Sequence, residues 1–270
     1  MQTNNYQGVK VIGDKQSAVR DELVVEAALQ ININGDSYTV VMRTPGNDID
    51  LIRGLLYAED IYKQKTTPEF TIIEKQDGIP KVINVNISKE RLGKGYLNKR
   101  TLLSVSSCGI CGKQELEDLN PEGESLDEPV AFSSDILFAM LDKFHIHQKV
   151  FRETGGSHAA GLFDKNYQFL TLREDIGRHN AVDKCVGNLL KEQTLFSAVY
   201  LIVSGRVSYE IVSKAFIAKI PVIIAVSACS SMAVDYAKEL GICLIGFTRG
   251  NHMTIYSNPT FLKTKAPNEF

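Results

Sequence analysis

Two stretches of the chain repeat one scheme: an uninterrupted apolar run, a serine, and an amphipathic segment. Val199–Ser204 reads VYLIVS and leads through Gly205-Arg206 into a helical pattern to about Lys219. Val222–Ser227 reads VIIAVS and leads through a small-residue turn into a second helical pattern to about Leu240. The two serines stand 23 residues apart, and a third apolar run, Ile242–Phe247, closes the series. Strands without polar alternation are covered on both faces, so this order predicts a parallel sheet with helices packed on it. Two copies are too few for a solenoid, and one βαβαβ unit accounts for them. A strand pair around His158–Phe163 and Tyr167–Leu172 completes the expected sheet, before a helix from about Gly177.

The first half is patterned differently. Residues 23–42 alternate apolar and polar around Asn34-Gly35, a two-residue hairpin signal. A helix entered at Asn47 follows, with Ile49, Ile52, Leu55 and Leu56 on one face. Strands are expected at 69–75 and 80–88, joined by Asp77-Gly78, and a basic cluster runs from Lys89 to Arg100. Pro121, Gly123 and Pro129 mark an acidic linker, and a helix capped at Ser133 or Ser134 runs to about His147. Residues 1–22 show no periodicity. The expected class is therefore α/β. It divides into a flexible leader (1–22), a small α+β domain (23–105), a cysteine loop and linker (106–130), and a layered α/β domain (131–270).

Composition narrows the function classes. With 270 residues, 44% hydrophobic and 23% charged, the chain is neither disordered nor of low complexity. Thirty basic against 32 acidic residues leave a net charge of −2, so attraction to nucleic acid or an anionic membrane is not what organises it. No apolar run approaches the 18 or so residues of a membrane helix. The polar start lacks the apolar region of a signal peptide, and a cytoplasmic protein is expected.

Of five cysteines, two form Cys108-Gly109-Ile110-Cys111. In a cytoplasmic chain that spacing points to redox, metal or sulfur chemistry rather than a disulfide framework. Glycines after both cysteines leave the thiols uncovered, and Lys113 with the basic cluster favours the nucleophilic thiolate. A structural zinc site needs four ligands. Cys185, Cys229 and Cys243 stand alone in apolar contexts, and His145 and His147 at i, i+2 on a helix point apart. Half a zinc site is present, which two chains sharing a metal would complete; the expectation here is no metal. A thioredoxin-like role lacks the βαβ unit around the motif. A nucleophilic Cys108 with Cys111 as neighbour is the expected chemistry.

A second group of polar residues falls where open α/β sheets bind ligands, outside the carboxyl ends of the strands. It comprises the segment from Arg173 to Lys184 with Arg178 and His179, then Ser204-Gly205-Arg206, then Ser227 to Ser230. The last cluster is Phe247, Thr248, Arg249, Gly250, Asn251 and His252. Exposed N–H groups at helix starts and the guanidinium forks of Arg178, Arg206 and Arg249 suit an anion. Each cluster alone would pass for a helix cap, but four on one rim favour a phosphate-bearing ligand. No Walker A or GxGxxG pattern occurs. His158, after Gly155-Gly156-Ser157, is either a ligand-facing residue or a satisfied core histidine.

Taken in order, RTPGND (43–48), SSCGICGK (106–113), GGSHAAGLF (155–163), EDIGRHNAVDK (174–184), SGRVSYE (204–210) and the terminal GFTRGNHMTIYSNP resemble the formate dehydrogenase accessory family, FdhD. The resemblance spans about 43–259. It implies a homodimeric cytosolic sulfurtransferase. Such a protein takes persulfide sulfur from a cysteine desulfurase and passes it to the bis(molybdopterin guanine dinucleotide) molybdenum cofactor required by formate dehydrogenase. It also implies a cytidine-deaminase-like larger domain that binds GDP as a mimic of the cofactor. Cys108 then matches the persulfide-bearing cysteine, Cys111 an assisting one, and Phe247–His252 the cofactor-binding stretch.

Two rivals belong to other classes. A zinc deaminase needs H-x-E or C-x-E followed by P-C-x-x-C, and neither occurs here, so the likeness extends to architecture and not to that catalysis. A non-catalytic cofactor carrier needs the same rim as a sulfurtransferase and stays open at this point.

Overall fold

The structure, a computed structural model, describes residues 2–96, 123–126 and 130–263. Strands β1 (Thr3–Ile12) and β2 (Lys15–Val24) pair antiparallel around Gly13 as a separate two-stranded sheet. The unpaired leader expected over 1–22 is thus a ten-pair hairpin. Both of its faces are largely exposed, with Tyr6, Val9, Val11 and Ile12 open to solvent. No buried face imposes an alternation, so no period marks it in the sequence.

Next come β3 (Ala27–Ile33), β4 (Asp36–Arg43), α1 (Asp48–Ala58), β5 (Glu69–Gln76) and β6 (Ile79–Asn86), a four-stranded sheet in the order β4-β3-β6-β5 with one helix on it. Both hairpin signals are used, with Asn34, Gly35, Asp77 and Gly78 all at positive φ. Leu29, Ile31, Ile33, Ile83 and Val85 meet Leu51, Ile52, Leu55 and Leu56 of α1 in one core.

The remaining chain forms α2 (Ser134–His147), α3 (Lys149–Thr154), β7 (His158–Asp164), β8 (Phe169–Asp175), α4 (Arg178–Lys191), β9 (Ala198–Val203), α5 (Tyr209–Ile217), β10 (Val222–Ala225), α6 (Ser231–Glu239), β11 (Cys243–Arg249) and β12 (His252–Ile255). Ser133 caps α2 as expected, its hydroxyl accepting from the Ile136 N–H. The sheet order is β12-β11-β10-β9-β7-β8, with β9, β10 and β11 parallel as predicted. Side chains alternate across it. Leu201, Val203, Ile223 and Leu244 pack under α4, α5 and α6, whereas Tyr200, Ile202, Val222, Ile224 and Ile245 pack under α2. The expected α/β class is what the chain adopts.

Two boundaries differ from expectation. β8 runs to Asp175, so Arg173, Glu174 and Asp175 belong to a strand rather than to the rim. β11 runs to Arg249 and returns at once as β12, so the expected loop from Phe247 to His252 is the tip of a hairpin. A bulge between Gly246 and Arg249 places Phe247 at φ 52, which breaks the alternation that would have announced the extension.

The two sheets are joined by a close helix crossing. A Cβ at Gly54 of α1 would collide with the Asp183 carbonyl of α4, and one at Gly187 of α4 with the Asp50 carbonyl of α1. Asp50 also pairs with Arg173 at 3.1 Å and Lys191 at 2.6 Å. Buried Thr44 completes the seam: its N–H donates to Asp175, its carbonyl accepts from Lys184, and its Oγ1 accepts from the Ile176 N–H. The RTPGND string thus docks on the large domain beside α1. Within it Arg43, fully buried, pairs with Asp48 at 2.8 Å.

Candidate functional site

β8 and β9 both run antiparallel to β7, so they point the same way. The carboxyl ends of β8, β9, β10 and β11 therefore share one edge of the sheet, and β7 begins there with His158. That edge gathers most of the residues singled out from the sequence.

Arg178 and His179 open α4 directly after β8. Ser204, Gly205 and Arg206 follow β9, close against them. A Cβ at Gly205 would lie 3.2 Å from His158 Nδ1 and 3.4 Å from Arg178 Cβ, a tight approach that glycine leaves open. Arg178 and Arg206 act directly on His158. Burial is the largest influence pulling its pKa below the ordinary histidine value, followed by the positive fields of Arg178 and Arg206; Asp175 opposes them. His158 is therefore a neutral imidazole at neutral pH, under the positive fields of Arg178 and Arg206. Arg206 is exposed, and Arg178 Nε is buried with no hydrogen-bond partner among the described residues.

The serines serve the loops themselves. Ser204 exchanges bonds with Ala159, its N–H donating to the carbonyl and its Oγ accepting from the N–H. The Ser227 carbonyl accepts from the Phe247 N–H at 3.0 Å, tying β10 to the β11 bulge. Val207 and Cys229 bridge the neighbouring loops, and Ser230 caps α6. The Ser204 N–H, expected to face an anion, is used by the Ala159 carbonyl.

The Phe247–His252 tip stands apart from the His158 cluster. Two strand spacings separate β9 from β11, roughly 10 Å. Here Arg249, Gly250, Asn251 and His252 are exposed, and Phe247 is 39% exposed in its left-handed conformation rather than anchored in the core. Thr248 is fully buried, with Oγ1 lacking a partner among the described residues. The rim thus has two cationic ends, one around Arg178 and Arg206 and one at Arg249. An elongated anion can reach both.

His179 points inward, at 7% exposure, with Nε2 2.7 Å from Glu210 Oε2 and 3.2 Å from Ser208 Oγ. Ser208 and Glu210 lie in the SGRVSYE string but carry no local signal of this contact, since Ser208 makes no side-chain cap bond on α5. Asp175, within the expected Arg173–Lys184 segment, holds backbone instead of facing a ligand. Its Oδ1 accepts from the Gly177 N–H and from Asn180, fixing the start of α4.

Cys108 and Cys111 lie outside the described residues. The remaining thiols are poor nucleophiles. Burial pushes Cys185 and Cys243 up to about 12 and Cys229 up to about 11, and the Cys185 thiol donates to the Ala160 carbonyl. Among the described residues no three His, Cys, Asp or Glu side chains are grouped to hold a metal. His145 and His147 engage Gln148 and the Lys143 carbonyl. No helix among those residues is long and apolar enough to cross a membrane.

Comparison with known proteins converges. The model of the FdhD/NarQ family matches residues 24–263. A protein of Sulfolobus acidocaldarius named sulfur carrier protein FdhD is 38% identical over 261 residues, covering 96% of this chain and 98% of its own. One of the same name from Nocardia farcinica is 40% identical over 253 residues, covering 91% and 89%. A crystal structure of a provisionally assigned formate dehydrogenase accessory protein from Desulfotalea psychrophila superposes with a TM-score of 0.76 at 19% identity, covering 97% of this chain and all of that one. At that identity the likeness concerns the fold.

Proposed function

The chain belongs to the FdhD/NarQ family, and on that premise we propose that it is a cytoplasmic sulfur carrier for formate dehydrogenase maturation. Cys108 takes sulfur from a cysteine desulfurase and delivers it to the bis(molybdopterin guanine dinucleotide) molybdenum cofactor, which is bound as substrate. The observation that carries the substrate assignment is the gathering of His158, Arg178 and the Gly205-Arg206 loop at one sheet edge, with Arg249 on the same edge two strands beyond β9. A ligand with two arms, each carrying a pyrophosphate, fits cations divided in that way, and GDP is the probe for one arm. The protein works as a homodimer in this reading.

The sulfur steps balance without an outside oxidant. The Cys108 thiolate attacks the terminal sulfur of the donor persulfide. One S–S bond forms on Cys108 as another breaks, and the donor leaves as a thiolate. For release, Cys111 attacks the Sγ of Cys108. The terminal sulfur departs as sulfide toward the cofactor, and a Cys108–Cys111 disulfide remains, to be reduced by a cellular thiol. Cys108→Ala should therefore leave the protein folded and formate dehydrogenase inactive in a strain lacking the wild-type copy. Full dehydrogenase activity with that variant would remove Cys108 from the path. Cys111→Ala should load sulfur and release it slowly.

A further inference from the structure

His179 links the two halves of the arginine cluster. It follows Arg178 at the start of α4, and its Nε2 reaches across to Ser208, the N-cap of α5, and to Glu210 in the first turn of that helix. Ser208 in turn donates to Glu210 at 3.3 Å. Arg206 stands two residues before Ser208, on the loop that Gly205 brings against His158 and Arg178. The opposite side of the α4 start is held by Asp175, through the Gly177 N–H and Asn180. Arg178 Nε, by contrast, has no protein partner among the described residues. The spacing of the two guanidinium groups is thus set by the backbones that carry them; Lys214 and Asp183 tie α5 to α4 further along at 2.6 Å, and His179 makes the tie nearest the two arginines.

The side chains of His179 and Glu210 are only 9% and 8% exposed. A buried hydrogen-bonded pair contributes modest net stability, and replacing both partners by apolar side chains of similar volume is often neutral or stabilising. Stability alone does not explain it. We infer that His179 is a positioning residue of the anion site, holding the Arg206 loop at the distance from Arg178 that a pyrophosphate-bearing ligand requires. The inference rests on the proposed nucleotide-binding function and adds to it a residue that touches no ligand.

Calorimetric titration with GDP, paired with thermal melting, tests it on four full-length proteins. Wild type should bind. His179→Ala should bind roughly tenfold more weakly, as networked neighbours couple on that scale. His179→Gln, whose amide nitrogen stands near the Nε2 position, should bind within about twofold of wild type. The pair variant His179→Leu with Glu210→Met keeps the core volume, so it should melt no lower than wild type while binding as weakly as His179→Ala. A loss of binding without a loss of stability separates positioning from a structural role, and the pair variant covers the case in which His179→Ala fails to fold. Wild-type affinity in the folded pair variant would overturn the inference and leave the nucleotide site standing. Absence of GDP binding by wild type would overturn both.

Discussion

The Lys184 ammonium lies 2.7 Å from a carboxylate oxygen of Asp175, and neither side chain is exposed at all. Lys184 also donates to the Thr44 carbonyl, and Asp175 accepts from the Thr44 N–H, so one buried pair fastens the small domain, the end of β8 and the start of α4. Breaking such a pair leaves an uncompensated charge in the interior and costs about 3–5 kcal/mol. Lys184→Ala should lower unfolding stability by that amount in urea titration and weaken GDP binding through the displaced start of α4. A loss under about 1 kcal/mol would show that the seam is held by packing instead.

The crossing of α1 on α4 permits no side chain at Gly54 or Gly187, since the obstacles there are backbone carbonyls that cannot swing aside. Gly54→Ala and Gly187→Ala should each destabilise by roughly 2–3 kcal/mol or more. Gly8→Ala, whose Cβ would meet only Val19 at 3.7 Å, should stay within about 0.5 kcal/mol of wild type. Melting curves of the three variants decide the point.

His158 gives the site a pH dependence. Its pKa is held below the ordinary value of 6.5 by burial and by Arg178 and Arg206, so at neutral pH it adds no charge to the cluster. As the pH falls through that lowered value the ring gains a proton, and anion affinity should rise. The sign for folding is opposite. The unfolded chain takes up this proton at a higher pH than the native chain, so the His158 contribution to stability is lost as the pH drops below 6.5. Because GDP itself titrates nearby, the comparison must be with His158→Gln, which should remove the extra gain in affinity at acid pH. Identical pH profiles for the two proteins would place His158 away from the ligand.

Arg249 stands at the exposed end of β11, where its guanidinium is open to a phosphate. A charge-assisted hydrogen bond contributes about 1.5–3 kcal/mol, so Arg249→Ala should weaken GDP binding roughly ten- to a hundredfold. Arg249→Lys should recover part of it, because an ammonium cannot make the bidentate contact. Unchanged titration curves would take the β11–β12 tip out of the site.

Legibility in the sequence followed burial. Val199–Val203 and Val222–Ala225 were readable because helices cover both faces, leaving an uninterrupted apolar run. Asn34-Gly35, Asp77-Gly78 and Ser133 were readable because turns and caps demand those residue types. β1 and β2 were not, since neither of their faces is buried, and β12 was hidden by the bulge at Phe247. At the sheet edge, the rule that ligands meet the carboxyl ends of strands brought Arg178, Arg206 and Arg249 to one rim, as the topology has them. The contact of Glu210 with His179 and of Asp175 with Thr44 was not legible, because each joins residues far apart in sequence.

The sulfur step is tested most directly by weighing the intact protein after incubation with a cysteine desulfurase and cysteine. Wild type should gain the mass of one sulfur atom, removable by a thiol reductant, and Cys108→Ala should gain none while still binding GDP. Equal sulfur uptake by Cys108→Ala, or no uptake by wild type beside an active donor, would contradict a persulfide carried on Cys108.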